Sequence, residues 1–131
     1  MTDYLDWQTD MGDPELAATY DDFSFWSAQF GTLLVENLSL CRNIRGLDIG
    51  CGTGFPLLEM ARRHGASSHF VGVDGWRHGL RRANRKRRGQ GVVNADVVLA
   101  NAERLPFAPN TFDLILSNLG INNFDDPAAT L

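Results

Sequence analysis

The sequence has little cysteine and no long apolar run. Cys41 and Cys51 are its only cysteines among 131 residues, which is too few for a disulfide-built scaffold. No stretch approaches the roughly 20 apolar residues of a membrane-spanning helix, and the first residues show no signal-peptide pattern. Neither the cysteines nor the histidines cluster at metal-ligand spacing. We therefore expect a globular cytoplasmic protein with reduced thiols, no membrane partner and no metal centre.

The charge is slightly acidic and unevenly placed. The net charge is −4, and the first 22 residues hold seven acids and no lysine or arginine. The segment Arg77 to Arg88 holds seven of the twelve basic residues. The acidic balance makes nucleic acid an unlikely main partner. We interpret the basic segment as a solvated helix face, with an anion or RNA contact as the alternative.

The chain before residue 45 is expected to be helical. Residues 1–12 are polar and predicted to be a flexible acidic N-terminus, followed by one domain over 13–131. Asp13-Pro14-Glu15 is a helix start, with aspartate as the N-cap and proline at the first helical position. Apolar residues then recur three or four positions apart, which predicts a second, amphipathic helix with Ser24 as a candidate cap. Its buried face would be Phe23, Trp26, Phe30, Leu33, Leu34 and Leu38. Tyr20, Phe23 and Trp26 would form either a lid over a ligand or ordinary packing.

A glycine-rich turn is the most informative stretch. A short apolar segment, Leu47 to Ile49, ends in Gly50-Cys51-Gly52-Thr53-Gly54, and a helix-like run opens at Pro56. Leu57, Leu58, Met60 and Ala61 would be the buried face of that helix, with Gly65 as its C-terminal stop. Glycines allow a ligand close approach to the backbone, and the helix N-terminus offers unpaired N–H groups. The pattern predicts a nucleotide-cofactor cradle.

The segment L-D-I-G-C-G-T-G, with Asp48 inside the strand, resembles the first motif of the class I S-adenosylmethionine-dependent methyltransferases. Its spacing is G-x-G-x-G, whereas the dinucleotide fingerprint is G-x-G-x-x-G. The segment N-A-E-R-L-P-F, followed by F-D-L-I-L, resembles a second stretch of the same family. The resemblance implies S-adenosylmethionine as the cofactor and methyl transfer as the reaction. Asn101 would take the place of the carboxylate that usually meets the adenine amino group, and the Ala102 backbone N–H would meet a ring nitrogen, with Glu103 less certain.

An acid ends the second predicted strand, His69 to Asp74. Asp74 lies 20 residues after Gly54, a spacing that favours binding of both ribose hydroxyls, with a helix cap for Trp76 to Arg88 as the alternative. The residue after this acid is usually bulky in the family and packs on adenine. Here it is Gly75, followed by Trp76, which leaves open whether Trp76 covers the adenine or packs on the sheet.

Two further strands complete the predicted sheet, about Asp96 to Ala100 and Phe112 to Ser117, the second with a core, Leu114-Ile115-Leu116, buried on both faces. We predict an α/β, Rossmann-like three-layer αβα sandwich with a partial parallel sheet of about four strands, which the resemblance orders 3-2-1-4. Ligands bind at the carboxyl ends of such strands. The candidate cofactor-binding residues are Asp48, Gly50, Cys51, Gly52, Gly54, Asp74, Gly75, Trp76, Asn101, Ala102, Glu103, Ser117 and Asn118, and no catalytic residue is assigned.

The resemblance covers about residues 13–131 and only the cofactor-binding half of the family's domain, so the chain looks truncated after the fourth strand. That strand would then be an open edge, which predicts a homo-oligomer joined near Phe112 to Leu131. The residues after Asn118 lack the prolines of amino-directed nucleic-acid methyltransferases, which favours a small-molecule or other non-DNA acceptor. A non-catalytic module that binds a cofactor or partner, and a nicotinamide-dinucleotide domain, remain the alternatives.

Overall fold

A computed structural model describes residues 11–23, 25–120 and 124–130 of the chain. They form helices α1 (Pro14–Phe23), α2 (Phe25–Asn37), α3 (Leu57–His64), α4 (Arg77–Gly89) and α5 (Pro127–Thr130), and strands β1 (Arg45–Ile49), β2 (His69–Asp74), β3 (Ala95–Leu99) and β4 (Leu114–Leu116). All strand pairs are parallel, in the order β3-β2-β1-β4. The predicted fold class and strand order are therefore confirmed. No described helix is long and apolar enough to cross a membrane.

The two faces of the sheet are covered differently. On one face, the helices α3 and α4 pack over a core that includes the predicted apolar face of α3, and Gly65 (φ 79°) ends that helix as predicted. On the other face, Leu47, Ile49 and Val73 are covered by side chains of the segment 102–112 and by Phe124, and no described helix contributes to that cluster. An open crevice lies at the carboxyl ends of the strands.

The helix starts follow the sequence signals. The Asp13 carboxylate accepts a 2.9 Å hydrogen bond from the Glu15 backbone N–H at the start of α1, as an N-cap does. The Asp126 carboxylate accepts from the Ala129 N–H at the start of α5. Residues 1–10 and Ser24 lie outside the described residues, so the flexible N-terminus and the cap on α2 stay predictions.

The predicted buried face of α2 is only partly right, because Leu34 and Leu38 pack against the core but three of the larger residues are exposed. Trp26 is 69% exposed, Phe30 is 47% exposed and Leu33 is 55% exposed. The helix instead turns its smaller residues inward, because Gly31 approaches the glycine turn and the end of β4 so closely that a Cβ there would lie 2.8 Å from the Asn118 amide nitrogen. Val35, one turn further on, is 2% exposed. Periodicity therefore identified the helix and, in Leu34 and Leu38, part of the side that packs, but it missed Gly31 and Val35.

β4 also departs from its prediction, since it is shorter than Phe112 to Ser117 and is not buried on both faces. Leu116 is 7% exposed, but Ile115, which points to the opposite face, is 58% exposed. β4 pairs with β1 along one edge, and it is the last strand of the sheet within the described residues. The continuous apolar run predicted a strand but overstated how much of it is covered.

One amide fastens the end of the sheet opposite the crevice. Asn94, just before β3, donates its side-chain N–H groups to the carbonyl oxygens of Ala61, Gly65 and Ser68 at 2.8, 2.9 and 3.1 Å. These carbonyls belong to the last turn of α3 and to the turn that leads into β2. A single side chain therefore joins α3, β2 and β3 at this end.

Candidate functional site: a crevice at the carboxyl ends of the strands

An open crevice of about 1120 Å³ lies at the carboxyl ends of the strands. It is large enough for a nucleotide-sized ligand, since small-molecule sites occupy roughly 300–1,000 Å³. A second cavity of about 340 Å³ adjoins it, between α2 and the glycine turn. The residues that line the large crevice and were predicted from the sequence are Gly50, Gly52, Asp74, Gly75, Trp76, Asn101, Ala102, Glu103 and Asn118, while Cys51 lines the second cavity.

The glycine turn has the backbone of a ligand cradle. Gly52 has φ +51°, and a Cβ there would meet no atom within 4 Å, so this backbone faces open space in the crevice. Gly54 has φ +104° and serves a different purpose, because a Cβ there would lie 3.1 Å from the Ala83 Cβ of α4. Side chains at either position would strain the turn. One glycine therefore clears space for a ligand and the other allows α4 to approach.

The Asp74 carboxylate accepts hydrogen bonds from the glycine turn and from the residue before α4. One of its carboxylate oxygens accepts a 2.7 Å hydrogen bond from the Gly52 N–H, and the other accepts a 2.7 Å bond from the Trp76 N–H, just before α4. The second bond holds the residue that precedes α4 and not an N–H of its first turn, so the helix-cap alternative stays a prediction. A carboxylate offers about four acceptor positions, so these two bonds leave capacity for the ribose hydroxyls predicted from the sequence.

The Trp76 side chain is buried and contacts both α1 and the residue Met11 that precedes this helix. It is 8% exposed, its indole N–H donates to the Met11 carbonyl at 2.8 Å, and the Tyr20 ring meets it edge to face with centroids 5.2 Å apart. Trp76 still lines the large crevice, as do Tyr20 and Trp26. Two of the three aromatics for which a lid or ordinary packing was expected therefore border the crevice. The side chain of the third, Phe23, lies outside the described residues.

Asn101 and Glu103, for which the sequence predicted contacts with adenine, are hydrogen-bonded to each other. The Asn101 side-chain oxygen accepts a 2.8 Å bond from the Glu103 N–H, and the Glu103 carboxylate accepts a 2.8 Å bond from the Asp126 N–H before α5. An amide oxygen has two lone pairs, so Asn101 keeps one acceptor position. Glu103 ties the rim of the crevice to α5.

The end of β4 connects the crevice to the second cavity. Asn118 lines both cavities, and its amide donates to the Ser27 carbonyl of α2 at 2.7 Å. The neighbouring Ser117 hydroxyl donates to the Ile49 carbonyl at 2.7 Å and lines neither cavity. Asn118 therefore lies where the two cavities meet, as do the predicted residues Gly50 and Gly52.

Two titratable groups lie behind the glycine turn. Asp48 is 1% exposed, and burial, followed by the nearby Asp74 carboxylate, raises its pKa to about 7. Neither of its oxygens has a hydrogen-bond partner among the described residues, although the Leu57 backbone N–H at the start of α3 favours the charged form. Burial, with the charges of Asp48 and Asp74, also raises the pKa of the Cys51 thiol well above its usual value. The thiol therefore stays protonated and is a poor nucleophile.

Three predicted residues, Asp48, Gly54 and Ser117, support the crevice without lining it. The sequence reasoning in turn missed several residues that do line the cavities. Some of them, such as Thr53 inside the glycine turn and Val73 beside Asp74, adjoin predicted residues in the sequence, whereas those of α1 and α2 reach the cavities only through the fold. The missed residues are Met11, Asp21, Ser27, Ala28, Thr32, Thr53, Phe55, Val73, Leu99, Ala100, Leu119, Gly120, Phe124 and Asp125.

A parallel 3-2-1-4 sheet, a glycine turn with positive φ and a carboxylate at the end of β2 are typical of nucleotide-cofactor-binding α/β domains. The chain belongs to the methyltransferase-domain family, because a family model described as "Methyltransferase domain" matches residues 40–131. Its fold is also that of a SAM-dependent methyltransferase from Aquifex aeolicus, with a TM-score of 0.76 and 22% identity over 90% of this chain and 63% of that one.

Two curated relatives carry more specific names. The ubiquinone/menaquinone biosynthesis C-methyltransferase UbiE of Proteus mirabilis is 36% identical over 98 residues, which are 74% of this chain. The demethylmenaquinone methyltransferase of Anoxybacillus flavithermus is 29% identical over 92 residues, which are 70% of this chain. The chain spans 39% of the length of each of these relatives.

Proposed function

We propose that this chain is the cofactor-binding part of an S-adenosylmethionine-dependent methyltransferase that acts on a small-molecule acceptor. The observation that carries the proposal is the crevice of about 1120 Å³ at the carboxyl ends of the strands, bordered by the glycine turn, Asp74 and Asn118. Membership of the methyltransferase-domain family supports it independently.

The crevice meets a simple test of fit for such a cofactor. A side chain at Gly52 would project into the space beside the turn, which is open on the described structure. Asp74 has acceptor capacity left for ribose hydroxyls, and Asn101 has one acceptor position left for an amino group. When bound, the cofactor supplies a methyl group on a sulfonium, which is already an activated donor.

The protein's contribution would be mainly orientation, since in-line displacement depends on holding the two reactants in the right geometry. Asn118 borders both cavities, so we propose that the transferred group lies near it and that the acceptor occupies the cavity of about 340 Å³. Cys51 stays protonated, and burial, with the charges of Asp74 and Asp21, raises the pKa of the Tyr20 phenol. We assign no general acid or base.

The acceptor is proposed to be small because the second cavity, between α2 and the glycine turn, has a volume of only about 340 Å³. The names of the two curated relatives make quinone-type rings the first acceptors to examine. The non-catalytic binding module and the nicotinamide-dinucleotide domain are the competing functions, and both make different predictions for ligand binding.

Isothermal titration calorimetry of this chain with S-adenosylmethionine, S-adenosylhomocysteine and NAD separates the three. Binding of the first two and not of NAD is the expected result. Binding of NAD alone would favour the dinucleotide domain because its ribose would use Asp74 equally well. Binding of none of them would refute the cofactor assignment and leave a module that serves another partner.

A further inference from the structure

Asp21 of α1 brings together three segments that are distant in sequence. One of its carboxylate oxygens accepts a 2.6 Å hydrogen bond from the Thr53 hydroxyl, inside the glycine turn. The Lys86 ammonium of α4 lies 3.2 and 3.1 Å from the two oxygens, and the Arg82 guanidinium Nε lies 3.4 Å from the second. One side chain therefore connects α1 to the turn and to α4.

These contacts are partly shielded from water. The exposed side-chain fractions are 31% for Asp21, 21% for Lys86 and 33% for Arg82. Burial acts to raise the pKa of Asp21, but the Thr53 hydroxyl, the Lys86 charge and the Arg82 hydrogen bond outweigh it and lower the pKa. The carboxylate therefore stays charged at neutral pH, in an environment where ion pairs are screened less than on an open surface.

The glycine turn is consequently held from two sides. Asp74 at the end of β2 holds the Gly52 N–H, whereas Asp21 holds the side chain of the next residue, Thr53, which is 4% exposed. The first contact comes from the sheet and the second from α1. Tyr20, beside Asp21, borders both cavities, so any movement of α1 changes the access to them.

We infer that Asp21 is a positioning residue that latches α1 across the glycine turn, and that the crevice admits and releases its cofactor when this latch opens. The inference rests on the proposed function only for the identity of the ligand. Its physical basis is that Asp21 of α1 forms ion pairs with Lys86 and Arg82 of α4, and that the same carboxylate restrains the turn that the ligand would touch.

The matched test compares Asp21→Asn with Asp22→Asn, which removes the neighbouring, exposed carboxylate of the same helix. Asparagine keeps an oxygen that accepts from Thr53 but loses the charge that attracts Lys86 and Arg82. Stopped-flow displacement of S-adenosylhomocysteine gives its dissociation rate. Hydrogen exchange of the α1 segment, with and without this ligand, reports the opening of the helix directly.

We expect Asp21→Asn to release S-adenosylhomocysteine about tenfold faster, by the strength of charge-assisted hydrogen bonds, and to lose most of the ligand-induced protection of α1. Asp22→Asn should behave as the wild type. High salt should speed release from the wild type but hardly from Asp21→Asn. Lys86→Met should be non-additive with Asp21→Asn, because both break the same contact.

Two results would overturn the latch. The first is equal release rates and equal exchange in Asp21→Asn and Asp22→Asn. The second is a lower melting temperature for Asp21→Asn with unchanged release and unchanged α1 exchange, which would reduce Asp21 to a structural brace. If the wild type binds no S-adenosylhomocysteine, the proposed function fails, and the latch stands or falls on whether Asp21→Asn speeds exchange in ligand-free α1.

Discussion

Asp48 is expected to make the stability of this domain fall as the pH rises. Its folded-state pKa is about 7, against an ordinary value of 3.8, because the carboxyl is fully buried and faces Asp74. Between these two values the folded protein holds a proton that the unfolded chain has released. Stability is therefore highest at low pH with respect to this group, declines as the pH rises through this window, and levels off above the folded pKa.

The size of the effect follows from the shift. Each pKa unit is worth about 1.4 kcal/mol, so the linkage relation assigns Asp48 a loss of about 2.5 kcal/mol between about pH 5 and about pH 8. With a urea m-value of about 1.5 kcal/mol per molar for a domain of this size, the denaturation midpoint should fall by roughly 1.5 M over that range.

Asp48→Asn removes the titration with little change in size, so the test is the difference between the two pH profiles. Urea denaturation of wild type and variant, followed by tryptophan fluorescence at several pH values, should show a slope in the wild type that is largely absent in Asp48→Asn. Other titrating groups cancel in this difference. Asp22→Asn, an exposed carboxylate, should keep the wild-type slope. Parallel profiles for wild type and Asp48→Asn would refute the reasoning, since they would mean that the buried charge is stabilised.

Three further predictions concern binding and assembly. Gly52→Val should abolish S-adenosylhomocysteine binding by calorimetry, because a side chain at φ +51° costs about 1–3 kcal/mol and fills the cradle; Gly89→Ala, which meets open space on α4, should bind normally. Asp74→Ala should weaken binding at least about tenfold, and Asp74→Asn, which keeps an acceptor oxygen, should weaken it less; unchanged affinity would contradict the ribose assignment. We also propose that the β4 edge pairs with a second copy, so light scattering should show a dimer that Ile115→Lys reduces to a monomer; a 14.5 kDa wild-type species would contradict it.

The parts of the fold that sequence predicted well are local. The glycine turn, its flanking strand and helix, and the proline-led helix starts depend on residues within one or two turns of each other, and they appear where expected. The buried face of α3 was predictable because Leu57, Leu58, Met60 and Ala61 lie on one side of a short helix against a sheet.

The misses share a physical cause, which is that a pattern identifies a face but not what covers it. Trp26 and Phe30 are apolar but exposed, whereas Gly31 faces inward at a place where a Cβ would lie 2.8 Å from the Asn118 amide nitrogen. The Asp21 contacts join residues 32 and 65 positions apart in sequence, and no local signal reports such a pairing. For the same reason the sequence left the position of Trp76 open.

Hydrolysis of the Asn94 side-chain amide would weaken the end of the domain away from the crevice. The Asn94 amide donates hydrogen bonds to three backbone carbonyls. These carbonyls are acceptors and cannot form hydrogen bonds with a group that also only accepts. Slow hydrolysis of this amide to a carboxylate, the common ageing reaction of asparagine, would leave an acceptor-only group facing three acceptors. The lesion would change the mass by a single unit, leave every crevice residue intact, and still loosen the junction of α3, β2 and β3. A stored sample could therefore lose its fold from the side that no ligand touches.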